Sequence, residues 1–226
     1  SGPGSNSTTT CQCTKNETSV VEFAWALQNL TSQFYAKASK NTTLLQSAPN
    51  NSAALWVPNY RGMNRQTQLG LLAIRREAKK CPNFKPPMCN YSIPKVNSSR
   101  MLLHLSYKLE SSVSGAMIGL AGYTQSPEVS FLIARLAAGH AAHAAYIESH
   151  LREPIFINNT NTTLAPAFAP PVVLSRGNRT GMLGQWLAGC VKPPPKRCGE
   201  TLLVGPISGN LTSNSTLISS VLASQT

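Results

Sequence analysis

Apolar residues recur at the spacing of an amphipathic helix in four stretches of this chain, separated by segments rich in Asn, Ser, Thr and Pro. The first predicted helix begins near Thr18 or Ser19, either of which can cap it. Its apolar face comprises Val20, Phe23, Leu27, Leu30, Phe34 and Ala38. A loop is expected over 39–59 and a second helix over about 60 to 80, ending before Pro82 because proline disfavours helix in the preceding residue. One side of the second helix carries Met63, Gly70, Ile74 and Glu77.

The third predicted helix starts at Ser98 or Ser99 and continues to about Tyr123. Its inward face comprises Leu102, Ser106, Leu109, Glu110, Val113, Met117 and Leu120. Gly115 and Gly119 on this helix form a pair of small residues four apart, which predicts close packing against another helix in a soluble bundle.

The fourth predicted helix has the clearest start, because Ser126 can cap it, Pro127 suits the first helical position and Glu128 is an early acid. It runs to about Arg152. Its inward face comprises Val129, Ile133, Leu136, His140, His143 or Ala144, Ile147 and Leu151. Four amphipathic helices predict an all-α four-helix bundle over 18–152, preceded by a flexible arm over 1–17.

Residues 153–226 are rich in proline and carry no strong periodicity. They are predicted to form an extended, glycosylated, mostly irregular tail that wraps the bundle or reaches a neighbouring molecule. Two short segments, Pro171–Leu174 and Thr201–Val204, are candidate strands.

Asparagine sequons are the strongest compositional signal. Ser and Thr total 43 of 226 residues, so chance would give roughly three or four N-x-S/T sequons, whereas twelve of the seventeen asparagines begin one. They are Asn6, Asn16, Asn29, Asn41, Asn50, Asn90, Asn97, Asn158, Asn161, Asn178, Asn210 and Asn214. This enrichment predicts a heavily N-glycosylated protein of the secretory pathway, extracellular or at the cell surface. No signal peptide is visible, which favours a processed mature form, and no run of eighteen apolar residues suggests a membrane span.

Six cysteines suit the same oxidising route. Two segments share their spacing and proline content, CPNFKPPMC with Cys81 and Cys89, and CVKPPPKRC with Cys190 and Cys198. Each could close a small loop, stabilising the fold by about 2–3 kcal/mol, and Cys11 and Cys13 would then need partners in another chain. The alternative is that the N-terminal arm pairs with one of these segments inside one chain. Sequence alone does not choose among the connectivities.

The charge is scarce and basic, with twenty Lys and Arg against eight Glu and no Asp. The absence of Asp excludes Asp-based calcium loops and a Ser-His-Asp triad. The net charge of +12 is scattered along the chain, so a solvated basic surface is expected first and attraction to acidic wall polysaccharide second. Nucleic-acid binding is not expected.

His140, His143, Glu110 and Glu77 all fall on inward helix faces, where a buried carboxylate needs a partner. The stretch KLESSVSGAMIGLAGYTQSPEVSFLIARLAAGHAAHAAYI over 108–147 resembles the last two helices of secreted ferritin-like domains, the desiccation- and stress-related group of plants and fungi. ALQNLTSQFY over 26–35 is similar to the family's first helix, and 76–80 is a weaker match to its second.

The resemblance implies a ferritin-like bundle with a di-metal site, but the ligand pattern departs from the family's. Glu110 and His143 match ligand positions, whereas His140 stands where a bridging Glu would be and Lys80 where a His would be. Gln28 and Thr31 stand where the first helix of the family has Glu. Three interpretations remain open: a hydrogen-bonded core remnant, one transition-metal ion at Glu110, His140, His143 and Glu77, or an intact di-iron oxidase.

The leading prediction is a non-enzymatic, N-glycosylated extracellular structural or interaction protein without a cofactor. Its long arms could support self-association into a homo-oligomer, surface layer or filament, with disulfides through Cys11 and Cys13. The alternatives are a metal-binding oxidase or storage protein, with one transition-metal ion or a pair, and a binder of acidic cell-wall polysaccharide. No nucleophile elbow, phosphate loop or dinucleotide fingerprint supports another enzyme class.

Overall fold

The fold was analysed in a computed structural model, which describes residues 13, 15–48, 53–152, 154–156 and 166–195. In these described residues, four long helices form the bundle, and three short ones accompany them. In chain order they are α1 (Lys15–Ala38), α2 (Thr42–Gln46), α3 (Ala53–Ala78), α4 (Ser99–Ala121), α5 (Pro127–Leu151), α6 (Pro170–Val173) and α7 (Gly184–Leu187). The described residues contain no strand, so the all-α prediction is confirmed for them.

The bundle consists of two helix pairs, because α1 packs mainly on α3 and α4 packs mainly on α5. The predicted apolar faces of α1, α4 and α5 are buried, Leu151 at the end of α5 being half-buried. The caps of α4 and α5 are those the sequence predicts: the Ser98 hydroxyl accepts from the Met101 amide and the Ser126 hydroxyl from the Val129 amide. These two helices therefore begin where local capping chemistry places them.

The loop predicted over 39–59 is wrong in two places. Residues Thr42–Gln46 form the short helix α2, and α3 begins at Ala53 rather than near 60. Pro58 lies inside α3, where it removes one backbone hydrogen bond. The helix persists because this first part of α3 buries Trp56 and Tyr60, and the burial of these side chains offsets the lost hydrogen bond. The Asn- and Ser-rich composition of 39–59 had indicated a loop instead. At the other end of the first helix, α1 begins at Lys15, three residues before the predicted cap.

Residues 166–195 form a layer over α1 and α4. Phe168, Val173, Leu183, Trp186 and Leu187 are buried against the bundle. The candidate strand Pro171–Leu174 is wrong, since Pro170–Val173 is a helical turn, and Thr201–Val204 lies outside the described residues.

Gly115 and Gly119 pack against this layer rather than against another helix. A Cβ at Gly119 would lie 2.0 Å from the carbonyl oxygen of Phe168, and one at Gly115 would lie 2.5 Å from its ring. The Phe168 amide also donates to the Gly115 carbonyl oxygen at 2.9 Å. Because Gly115 and Gly119 have no side chains, the irregular segment around Phe168 can pack directly on α4.

Within the described part of the chain, two disulfides tie distant segments together. Cys13 pairs with Cys81, 68 residues away, and Cys89 pairs with Cys190, 101 residues away. The small loops 81–89 and 190–198 are therefore not closed, and Cys13 is not available to a second chain. Loops of these lengths correspond to about 4–5 kcal/mol each in the chain-entropy account. Cys11 and Cys198 lie outside the described residues.

The segment after α3 shows why Cys81 and Cys89 do not pair, because it runs along α1 instead of turning back. The Lys85 amide donates to Glu22 at 3.1 Å, and the Tyr91 hydroxyl donates to the Ala26 carbonyl oxygen at 2.9 Å. This course carries Cys89 to the layer that contains Cys190.

Candidate metal centre

The packing of α5 on α4 brings three of the four predicted ligand residues together. Glu110 lies in the middle of α4 with none of its surface exposed. His140 and His143 lie on the buried face of α5, three residues apart and hence on the same side of the helix. Ligand atoms from the three side chains all lie within 4.8 Å of one another.

Glu110 contacts both imidazoles through their Nδ1 atoms. Its Oε2 lies 2.5 Å from Nδ1 of His140, and its Oε1 lies 2.9 Å from Nδ1 of His143. Each carboxylate oxygen therefore serves one ring.

The outer nitrogens of both rings contact glutamine side chains. Nε2 of His140 lies 2.8 Å from Oε1 of Gln28 on α1, and Nε2 of His143 lies 2.6 Å from Oε1 of Gln66 on α3. The amide of Gln28 is oriented by Thr67, because its Nε2 donates to the Thr67 carbonyl oxygen at 3.0 Å. Its Oε1 accepts from His140, which fixes a proton on Nε2 of that ring.

The electrostatics of the cluster favour an ionised Glu110. Burial by itself would raise the pKa of Glu110, but the charge and hydrogen bond of His140, with those of His143, lower it to about 2. Burial and, second, the nearby Glu110 charge raise the pKa of Tyr35 well above its ordinary value. The buried Tyr35 hydroxyl lies near this carboxylate but makes no hydrogen bond of good geometry among the described residues.

This arrangement suits either protons or a metal ion between the three side chains. When each Nε2 donates its proton to an amide oxygen, a neutral ring points its Nδ1 lone pair at the Glu110 carboxylate. Two lone pairs and one anion then converge, and they repel unless protons or a metal ion lie between them. Donors around one ion with bonds near 2.1 Å are about 3–3.5 Å apart, and the ligand atoms of these three residues all lie within 4.8 Å of one another.

The prediction that Glu77 joins the ligands is not supported. Glu77 lies eleven residues beyond Gln66 on α3, which is about 16 Å along the helix axis. Its Oε2 lies 3.5 Å from Nζ of Lys80, which also donates to Glu128 at 2.8 Å. Lys80 is half-exposed at this distance from the cluster, so it does not oppose a metal there.

On the first helix, Gln28 reaches the histidines but Thr31 does not, because its hydroxyl donates to the Leu27 carbonyl oxygen within α1. On α3, Gln66 and Thr67 also contribute to the site, although neither was predicted from the sequence. Gln66 lies three residues after Met63 and four before Gly70, and that spacing was the available signal.

The residues of this cluster do not fit a di-iron pair. The di-metal centre of ferritin-like bundles uses two Glu and two Glu-x-x-His motifs. Among the side chains that the structure places around His140 and His143, the one carboxylate is Glu110, and neutral amides come from α1 and α3. A single carboxylate does not offset two divalent ions. Two imidazoles and a carboxylate do suit one transition-metal ion.

A cavity of about 690 Å³ opens between α3 and α5 and reaches the cluster. His140, His143, Gln28 and Gln66 lie at one end of it. The paired residues Lys80 and Glu128 lie at the other end. The cluster is therefore buried in the bundle and yet has a path to solvent.

The described sequons lie mostly on the surface. Asn41, Asn90, Asn97 and Asn178 are exposed. Asn29 is half-buried beside Tyr91, and Asn16 lies on α1. The other six sequons are outside the described residues: Asn6, Asn50, Asn158, Asn161, Asn210 and Asn214.

The helical pairs and the inward cluster of Glu and His define the class as a ferritin-like bundle. Sequence comparison agrees, because the family model described as "Ferritin-like domain" matches residues 16–153, more than half of the chain. The chain belongs to the ferritin-like domain family. No curated protein and no solved structure matches this chain.

Proposed function

We propose that this chain is an extracellular, N-glycosylated ferritin-like protein that binds one transition-metal ion through Glu110, His140 and His143. It acts as a metal-holding or interaction domain without catalytic turnover. The observation that carries the proposal is the convergence of both Nδ1 atoms on one ionised carboxylate, with both Nε2 atoms held by amide oxygens.

The outer contacts support metal binding because they select the tautomer that a metal requires. A metal-binding imidazole usually donates its other N–H to an oxygen acceptor, which fixes the ring and its free lone pair. Gln28 and Gln66 provide that acceptor for His140 and His143. Zn²⁺, Fe²⁺ or Cu²⁺ suits such a set of two nitrogens and one oxygen better than Ca²⁺ or Mg²⁺, which prefer oxygen ligands.

Metal content tests this proposal directly. We expect elemental mass spectrometry of the native protein to find close to one transition-metal ion per chain, and His143→Ala to reduce it at least tenfold. His104→Ala is the matched control, because His104 is an exposed histidine of α4 outside the cluster. Metal-free native protein that also fails to bind added Zn²⁺ or Fe²⁺, or equal metal in wild type and His143→Ala, would contradict the proposal.

The second candidate is the structural or interaction role without a metal. It is favoured by the hydrogen bonds of the cluster, since protons on the Nδ1 atoms of His140 and His143 let both rings donate to the buried, ionised Glu110 carboxylate. Self-association and binding to acidic polysaccharide remain predictions of this role. A persistent absence of metal in the test above would favour it.

The extracellular setting is part of the proposal. Two disulfides suit an oxidising compartment, and the exposed sequons leave room for glycans at Asn41, Asn90, Asn97 and Asn178. None of the described helices is long and apolar enough to cross a membrane. The likeness to the desiccation- and stress-related group remains a proposal at this finer level. Enzymatic removal of N-glycans from the native protein should lower its mass by several glycans; an unchanged mass would contradict this setting.

A further inference from the structure

The cavity between α3 and α5, hereafter the α3/α5 groove, has features that the metal cluster does not explain. Its floor at one end is the cluster, but most of its length is bordered by apolar side chains of the two helices. Leu69 and Leu72 of α3 are 46% and 44% exposed, and Phe131 of α5 is 65% exposed. Large apolar side chains grouped along one groove typically mark a binding surface.

Two arginines lie along the same groove. Arg76 of α3 and Arg135 of α5 both line it, and among the described residues neither pairs with a carboxylate. The groove's third cation, Lys80, is already shared between Glu128 and Glu77. The Arg135 guanidinium lies over the Phe131 ring, 5.7 Å from its centroid, and this contact does not neutralise its charge. Among the described residues, the groove therefore carries two positive charges that no carboxylate offsets.

The register of the helices places these arginines near each other. Gln66 faces His143 near one end of the groove and Lys80 faces Glu128 near the other, so α3 and α5 run antiparallel. In that register Arg76 and Arg135 are offset by two or three residues, or about 4 Å along the axis. The two guanidinium groups can therefore share one carboxylate, the anion that their fork geometry matches.

Space for a ligand comes partly from Gly139. A Cβ built at Gly139 meets nothing within 4 Å, and the residue lines the groove between Arg135 and the cluster. The cavity of about 690 Å³ lies within the range of small-molecule sites.

We propose that the α3/α5 groove binds a linear amphipathic carboxylate, of the chemical class of a medium-chain fatty acid. Arg76 and Arg135 hold the carboxylate, and the alkyl chain lies along Leu69, Leu72 and Leu136 toward the histidines. This binding does not depend on a metal, because the arginines and the apolar surface are separate from the cluster.

The test is calorimetric titration of the metal-stripped native protein with dodecanoate. We expect saturable one-to-one binding with a micromolar dissociation constant, and at least tenfold weaker binding of dodecanol, which lacks the charge. The double variant Arg76→Gln, Arg135→Gln should weaken dodecanoate binding at least tenfold, with Arg65→Gln, an exposed arginine of α3 outside the groove, as its matched control.

Gly139→Leu tests the groove by filling it. We expect this variant to lose dodecanoate binding, whereas Gly62→Leu, at a second open helical glycine outside the groove, should bind as wild type does. Circular dichroism checks that both variants fold. No saturable binding by wild type, or equal binding by Gly139→Leu and wild type, would overturn the proposal.

A groove covered by a second copy of the chain would also overturn it. In that case light scattering would find a wild-type dimer that Gly139→Leu converts to a monomer, with no dodecanoate binding. Because every titration uses metal-stripped protein, this proposal can fail or succeed independently of metal binding.

Discussion

The two opposite faces of the bundle differ in what lies on them. On the α1/α4 face, residues 166–195 cover the helices, bury Phe168 and Trp186, and are joined to the loop after α3 by the Cys89–Cys190 disulfide. On the α3/α5 face, a cavity of about 690 Å³ leads to buried histidines. One helical bundle therefore has one face used for packing and one left accessible.

The glycines show how the difference is built. Gly119 on α4 leaves room for the backbone of Phe168, whereas Gly139 on α5 borders open space. The same residue type thus admits a covering segment on one face and leaves a groove on the other. We expect stability to depend mostly on the covered face and binding mostly on the open one.

Removal of the Cys89–Cys190 disulfide on the α1/α4 face should have the largest effect on the free energy of unfolding. The double variant Cys89→Ser, Cys190→Ser is expected to lose about 4 kcal/mol of unfolding free energy, because the bond closes a long loop. Urea denaturation measures it, and Met88→Ser, which changes a side chain that is 94% exposed next to Cys89, should leave stability unchanged. An unaltered unfolding midpoint in the double variant would show that the layer adds little.

The second-largest effect is expected from acid, which should destabilise the cluster of Glu110, His140 and His143 beside the α3/α5 face. The pKa of Glu110 in the folded protein, about 2, lies below the ordinary pKa of a glutamate side chain, 4.5. Its contribution is therefore complete above about pH 4.5 and is lost as the pH falls from there toward 2, amounting to up to about 3 kcal/mol. Denaturation of metal-free protein across this range measures the loss. Glu110→Gln should lack this part of the pH dependence, and parallel curves for the two proteins would refute the assignment.

Alanine at the two glycines should give effects of opposite sign. Gly119→Ala is expected to cost about 2–3 kcal/mol, because its Cβ would collide with the backbone of Phe168. Gly139→Ala should stabilise by up to about 1 kcal/mol, since alanine favours helix and the site is open. Thermal unfolding of both variants measures the difference. Equal changes in melting temperature for the two variants would contradict the proposed difference between the α1/α4 face and the α3/α5 face.

The smallest effect is expected at the solvent-facing end of the groove. Lys80 is half-exposed in its pairs with Glu77 and Glu128, and such pairs add little to stability. Lys80→Gln should leave the unfolding midpoint nearly unchanged. The pKa of Glu77, raised by burial and by the charge of Glu128 but lowered in part by Lys80, should rise further, as NMR titration can measure. A fall in the pKa of Glu77 would contradict the position of Lys80 beside the Glu77 carboxylate.

The sequence predicts best what depends on local chemistry. The serine caps at Ser98 and Ser126, the inward faces and the three clustered residues Glu110, His140 and His143 follow from helical spacing. Helical spacing places these residues on inward faces because residues three and four apart share a face, but the same spacing also placed Glu77 on an inward face, and Glu77 does not join the cluster.

The sequence does not predict what depends on distant segments meeting. Cys13 and Cys81 pair across 68 residues, and the register that brings Gln66 rather than Glu77 to the histidines depends on how α3 packs. The start of α3 is also hard to predict, because Pro58 disfavours helix locally. The burial of Trp56 and Tyr60, which offsets this cost, depends on tertiary packing.

Binding of a single metal ion by Glu110, His140 and His143 can be tested by a crystal structure of the native protein with anomalous data collected at the absorption edge of its metal. We expect one anomalous peak within bonding distance of Glu110 and Nδ1 of both His140 and His143, with Gln28 and Gln66 still in contact with Nε2 of the two rings. Two peaks about 3.5–4 Å apart, the spacing of a two-metal site, or a single peak away from these residues, would contradict it.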